Sequence, residues 1–132
     1  MRISSALLLT SLALFATHPN STAAASADEA MQWLAGRWTN KNDCANGWVE
    51  FQRQGEAWVY REIEYEGGKR FPATASADAN GVVTVKITTP DFGYEYVNTF
   101  HDRDTLESVE GFTSGPMQGR RRSWTYSRCP ET

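Results

Sequence analysis

From residue 35 onward this chain reads strand, turn, strand, eight times over, and no other feature narrows the fold as far. The strand-like segments are 35–40, 47–54, 57–65, 69–77, 81–88, 92–101, 104–112 and 118–127. Between them stand Gln54-Gly55-Glu56, Glu66-Gly67-Gly68-Lys69, Asp78-Ala79-Asn80-Gly81, Thr89-Pro90-Asp91, His101-Asp102-Arg103-Asp104 and Ser114-Gly115-Pro116. Each carries the Gly, Pro, Asn or Asp that tight turns require. Asn80-Gly81 is the strongest hairpin signal, because both residues tolerate the positive φ of a type I′ turn. Connections this short join antiparallel neighbours. The expected class is therefore all-β: an antiparallel up-and-down barrel of about eight strands, closed so that no edge stays exposed. Asp28 to Trp33 reads as a short N-terminal helical turn, with Asp28 as its N-cap and Trp33 and Leu34 as a lid over one barrel end.

The alternation agrees with strands buried on one side. Val83, Val85 and Ile87 share one face, with Thr84, Lys86 and Thr88 on the other. Phe92, Tyr94, Tyr96, Asn98 and Phe100 share a face, as do Trp124 and Tyr126. Along 104–112 the pattern blurs, since Leu106 and Val109 fall on opposite faces; a β-bulge there would reconcile them.

The N-terminus has a different character. Met1-Arg2 leads into an apolar run from Ala6 to Ala16 and then a small-residue exit, the pattern of a secretory signal. The run is well short of the roughly 20 residues a membrane helix needs. Ala25-Ser26-Ala27 fits the cleavage pattern, which makes 1–27 the signal peptide and 28–132 a single domain; Ala23-Ala24-Ala25 competes. The expected location is secreted or periplasmic, with no transmembrane segment after cleavage. Losing Arg2 takes one from the 13 basic groups and none from the 16 acidic ones, so the formal charge of −3 becomes −4. That balance argues against nucleic acid as a partner. In an oxidising compartment, Cys44 and Cys129 are expected to pair. In a strict eight-strand meander, however, the ends of the first and last strands lie at opposite barrel ends. The pairing thus requires 39–47 to fold back, or an odd strand count; free thiols are the remaining alternative.

The cluster Trp33-Leu34-Ala35-Gly36-Arg37-Trp38-Thr39-Asn40 resembles the G-x-W opening shared by lipocalins, avidins and related calycin barrels. The resemblance implies that Trp38, after Gly36, plugs one barrel end beneath a basic residue from the last strand. Arg120, Arg122 and Arg128 are the candidates, and Arg122 ranks first. The stretch is also similar to the avidin opening L-x-G-K-W-T-N, whose Asn and a Ser four residues later bind the biotin ureido group. Asn40 matches, but Cys44 stands at the Ser position and the avidin tryptophan walls have no counterpart, so biotin binding does not carry over. A second resemblance is to small secreted bacterial metalloprotease inhibitors, barrels with a G-x-W start, one disulfide and a free N-terminal trunk. Asp28 to Met31 would be that trunk here.

Catalytic patterns are scarce. His101, the one His after the leader, sits in a turn, and no nucleophile elbow or phosphate loop is present. Glu62 and Glu64 share a strand face and read as solubilising charges on the barrel exterior. Neither a cofactor nor a metal site is expected. The informative residues are aromatic: five Trp, five Tyr and six Phe, of which only Phe15 leaves with the leader. Trp58, Tyr60, Tyr94, Tyr96, Trp124 and Tyr126 are candidates to line an inner wall, rings with polar tips that suit an apolar pocket. Arg122 joins them, because one arginine of Arg120-Arg121-Arg122 must point toward the interior and would suit an anionic head group. An eight-stranded barrel can equally be filled by its own side chains. The expected function is therefore a non-catalytic binding protein for a small apolar or amphipathic ligand. The alternative is a barrel that binds a secreted or periplasmic protein, such as an enzyme inhibitor.

Overall fold

The structure, a computed structural model, describes residues 25–131; the leader expected over 1–27 lies almost wholly outside them. Helix α1 (Ala27–Leu34) precedes eight strands: β1 (Gly36–Thr39), β2 (Val49–Gln54), β3 (Ala57–Glu62), β4 (Phe71–Ala77), β5 (Val83–Thr88), β6 (Gly93–Asp102), β7 (Thr105–Ser114) and β8 (Arg121–Arg128). Every neighbour pair is antiparallel and in sequence order, and β1 pairs β8 to close the barrel. The architecture is the one the turn spacing implies, and it fits a lipocalin-like fold.

Helix α1 caps one end of the barrel. Ala30 and Leu34, one helical turn apart, are both fully buried, and α1 packs on β4 and β5. The cap residue is Ser26, whose hydroxyl accepts from the Glu29 backbone N–H and donates to the Glu29 carboxylate. This Ser-x-x-Glu arrangement is a capping-box variant. It displaces the expected Asp28 cap by two residues and leaves Asp28 in the first turn, where a negative charge favours the helix N-terminus.

Trp38 fills the capped end. It is fully buried, its indole N–H donates 3.0 Å to the Leu34 carbonyl, and its ring meets Phe100 edge-on at 5.8 Å. The basic partner is Arg128, not the expected Arg122. In the β1–β8 register Arg128 lies directly opposite Trp38, whereas Arg122 stands six residues back along the same strand, toward the other end. The Arg128 guanidinium sits 4.3 Å from the indole centroid. Its Nη1 donates to the Ala35 carbonyl at 2.8 Å, its Nη2 to the Trp33 carbonyl at 2.5 Å, and its Nε to Asp104 at 3.0 Å. One planar fork thus ties the chain entering β1 to the last strand. Gly36 makes room for it. A Cβ there would lie 2.9 Å from Arg128 Nη1, and the φ of +128° already excludes most side chains.

Cys44 and Cys129 are disulfide-bonded, with Cα atoms 5.6 Å apart. Of the three routes open to the sequence, the segment after β1 folds back. The Thr39 hydroxyl donates to the Gly47 carbonyl at 2.6 Å and accepts from the backbone N–H groups of Lys41 and Asp43, both at 3.2 Å. The loop winds around that one hydroxyl and returns Cys44 to Cys129, whose own N–H donates to Arg37 of β1. A crosslink spanning 85 residues removes roughly 4.5 kcal/mol of chain entropy from the unfolded state.

Two local expectations fail. The β4–β5 connection is not a type I′ turn. Only Gly81 has positive φ, and the Asp78 carboxylate accepts from the N–H groups of Asn80 and Val82. The Asp side chain organises a longer loop in which Asn80 keeps ordinary φ. No bulge separates Leu106 from Val109 either. The β7–β8 register is unbroken from Thr105 to Gly111, so Val109 points outward, 42 % exposed, while Ser108 and Glu110 point inward and are buried. The shifts in register fall at the two ends of the β6–β7 pair instead.

The clasp at the capped end has a measurable weight. Arg128→Ala removes a stacked cation and its bonds to two carbonyls of the entering chain, and should lower unfolding free energy by about 3 kcal/mol. For a domain of this size that is a fall in Tm on the order of 15 °C. Arg128→Lys keeps the charge without the fork and should recover less than half of the loss, as read by urea and thermal unfolding.

Candidate functional site

The other end of the barrel is open. Beneath the loops that follow β1, β3, β5 and β7 lies a cavity of about 730 Å³, within the range of small-ligand sites. Its wall is aromatic. Tyr94 meets Tyr96 at 5.1 Å and Phe112 at 4.8 Å, Tyr60 meets Tyr96 at 5.8 Å, and Phe92 meets Phe112 at 5.3 Å between ring centroids. Most of these contacts are edge-to-face, the arrangement ring quadrupoles favour. At the mouth Met117 and Trp124 are each 38 % exposed.

Period-two geometry brings these side chains together. Tyr60 on β3 and Tyr94 and Tyr96 on β6 occupy inward positions toward the open ends of their strands, whereas Tyr126 lies deeper on β8, in register with Leu106, and its hydroxyl reaches back to the same layer. All of them line the cavity, as do Arg122 and Trp124. Trp58, also proposed for the wall, is not among the lining residues. It is buried two residues nearer the capped end, opposite Ala73, and belongs to the core.

The polar tips of these tyrosines converge on two carboxylates. Tyr94 and Tyr126 donate to the two oxygens of Glu110, at 3.0 and 2.8 Å. Tyr60 donates 2.6 Å to Glu62 Oε2 and shares a 3.0 Å hydrogen bond with Tyr96. Glu62 therefore faces the cavity and does not sit on the exterior: it is in register opposite Val49, which lines the cavity with it. Glu64 stands at the rim, paired with Lys41 at 2.5 Å. Burial pushes the Glu110 carboxyl up, against the pull of the two tyrosine hydroxyls and Arg122. Burial, and then the Glu110 charge, raises the Tyr94 and Tyr126 phenols far above their ordinary value. Burial raises Tyr60 and Tyr96 likewise. All four remain neutral hydroxyl donors.

One pleat deeper on the same inward face, Asn98 and Ser108 stand opposite each other across β6 and β7. Asn98 Nδ2 and Ser108 Oγ are buried without a hydrogen-bond partner among the described residues. The inner wall from Ser108 to Glu110 is thus polar. Sequence reasoning passed over Glu110, although Leu106, Ser108 and Glu110 lie at strict two-residue spacing.

Other candidates lie elsewhere. Arg121 points outward and bonds Glu95, and His101 is exposed at the capped end, 3.5 Å from Glu107. Among the described residues no group of three or more His, Cys, Asp or Glu is placed to hold a metal ion, and no helix is long and apolar enough to cross a membrane. Asp28 to Met31, the trunk implied by the protease-inhibitor resemblance, is helical here, with Ala30 wholly buried. No protein-family model matches the chain, and no curated protein or solved structure matches it.

The raised carboxyl sets a pH dependence with a definite sign. A group whose folded pKa lies above its unfolded one binds its proton more tightly in the native state. The native state then loses stability as pH rises from the ordinary carboxylate range through the raised value. Glu110→Gln abolishes that loss. Its stability relative to wild type should therefore improve as pH is taken from about 4 to 7, as read by urea unfolding across the range; a constant difference would assign the burial cost to another group.

Proposed function

We propose that this protein is a secreted or periplasmic, non-catalytic binding protein of lipocalin-like form, which holds a small, partly apolar ligand in the open end of its barrel. The observation that supports this most is the cavity. An eight-stranded barrel has just enough interior to be filled by its own side chains or to hold one small ligand, and this one retains about 730 Å³. Aromatic walls supply apolar contact at low entropic cost, and the tyrosine tips supply orientation. The disulfide suits an oxidising compartment.

Under this reading the signal is cut after Ala25. Cleavage there leaves Ser26 in place to cap α1, whereas cleavage after Ala27 removes the cap and the first helical residue, at a cost of about 1 kcal/mol. N-terminal sequencing of the exported protein should begin at Ser26; a start at Asp28 overturns this placement of the cut.

Binding is tested with a neutral apolar fluorophore, N-phenyl-1-naphthylamine, alongside native mass spectrometry of protein purified from its own host. One probe should bind per chain, and Tyr94→Ala and Trp124→Ala should each weaken it about tenfold, the effect of roughly 1.4 kcal/mol. A barrel that takes up no probe and carries no small molecule overturns the reading.

A further inference from the structure

We infer that the cavity selects an amphipathic cation, a protonated amine carried on an aromatic or aliphatic body, and that Glu62 and Glu110 with their tyrosines form the site for the amine. The inference rests on the ligand-binding reading above and specifies its chemistry.

The balance of charge in the cavity carries it. Glu62, Glu64, Asp91 and Glu110 line it, against Lys41 and Arg122. Lys41 is already paired with Glu64 at the rim. Arg122 is exposed at the mouth, 6.0 Å from the Trp124 ring centroid. Arg122 stands in register opposite Glu110, but its side chain is exposed, whereas Glu110 is buried and Glu62 half-buried; the least exposed charged groups of the cavity are both acids. An anionic head group would gain Arg122 but face two carboxylates in a partly desolvated site, where repulsion is poorly screened. An ammonium meets the opposite. Tyr60, Tyr94, Tyr96 and Tyr126 bring aromatic rings and hydroxyl oxygens to the same two carboxylates. Aromatic faces attract cations, most strongly when water is displaced. The single tyrosine bond to Glu62 reaches Oε2, which leaves Oε1 to accept from an ammonium.

Burial raises the Glu110 carboxyl, and a bound ammonium would lower it again by favouring the charged form. The charged groups facing it are Glu62, Arg122 and the rim pair Lys41–Glu64, with Asp91 beside the mouth. Affinity for an amine should therefore fall as pH drops through the carboxylate range.

Three probes of one shape test this: 2-(1-naphthyl)ethylamine, 2-(1-naphthyl)ethanol and 1-naphthylacetate, titrated by tryptophan fluorescence at pH 7. The amine should bind at least tenfold tighter than the alcohol, and the acetate weakest. The preference should collapse in the Glu62→Gln/Glu110→Gln double variant while alcohol binding persists, which shows that variant to be folded. Equal binding of amine and alcohol, or preference for the acetate, overturns the cation inference and leaves the carrier reading intact. Binding of none of the three overturns the cation inference; the carrier reading falls with it only if the fluorophore does not bind either and no small molecule co-purifies.

Discussion

Everything in this molecule depends on how the first strand meets the last. Strand β1 is short, and its pairing with β8 covers two register positions, Trp38 with Arg128 and Thr39 with Ser127. A closure of that length is marginal by backbone hydrogen bonds alone. Three side-chain devices reinforce it at one place. Arg128 covers the Trp38 indole and holds the Trp33 and Ala35 carbonyls. The Thr39 hydroxyl gathers the following loop. The disulfide then pins that loop to the residue after β8. The seam closes the barrel, and it also concentrates the packed core at the helix-capped end, where Leu34, Trp38, Val83, Val85 and Leu106 are fully or almost fully buried.

The open end follows from the same division of labour. With one end made rigid by α1 and the seam, the other end need not be filled for the domain to be stable. Its rings pack on one another edge to face and leave a space between them. Placing carboxylates in that space is costly unless each is hydrogen-bonded. Glu110 is bonded through both oxygens, and Glu62 through one. A core selected only for stability gains more from leucine at these positions, which is the ground for reading the acids and tyrosines, under the proposed function, as ligand contacts.

Much of this was legible in the residues. All eight strands, their order and the inward faces of β5, β6 and β8 follow from period-two alternation and turn chemistry, because both are local properties. The plug at Trp38 was legible through the Gly36-x-Trp38 resemblance. Its partner was not, because Arg122 and Arg128 share a face and only the β1–β8 register separates them. The disulfide was legible from cysteine count, but its route was not. One threonine hydroxyl reverses the chain after β1, and no pattern in Asn40-Lys41-Asn42-Asp43 announces it. The missing I′ turn has the same cause, an aspartate side chain that captures the backbone before Asn80-Gly81 can set the geometry.

The most instructive misreading lies in β7. The alternation blurred there because apolar Val109 takes an outward position while Ser108 and Glu110 turn inward. A bulge would have restored the usual sorting; the unbroken ladder shows that the sorting itself is inverted. Glu62 on β3 and Asn98 on β6 break the rule in the same direction; Glu62 and Glu110 line the cavity, and Asn98 and Ser108 form the layer beneath it. Local rules that agree everywhere specify a fold, and natural chains tend to violate them where function requires it. Here the violations cluster in space although they are scattered over three strands. A random loss of amphipathicity would not converge on one end of one barrel. That convergence supports, independently of the cavity's size, the proposal that the tyrosine–glutamate layer is the binding site.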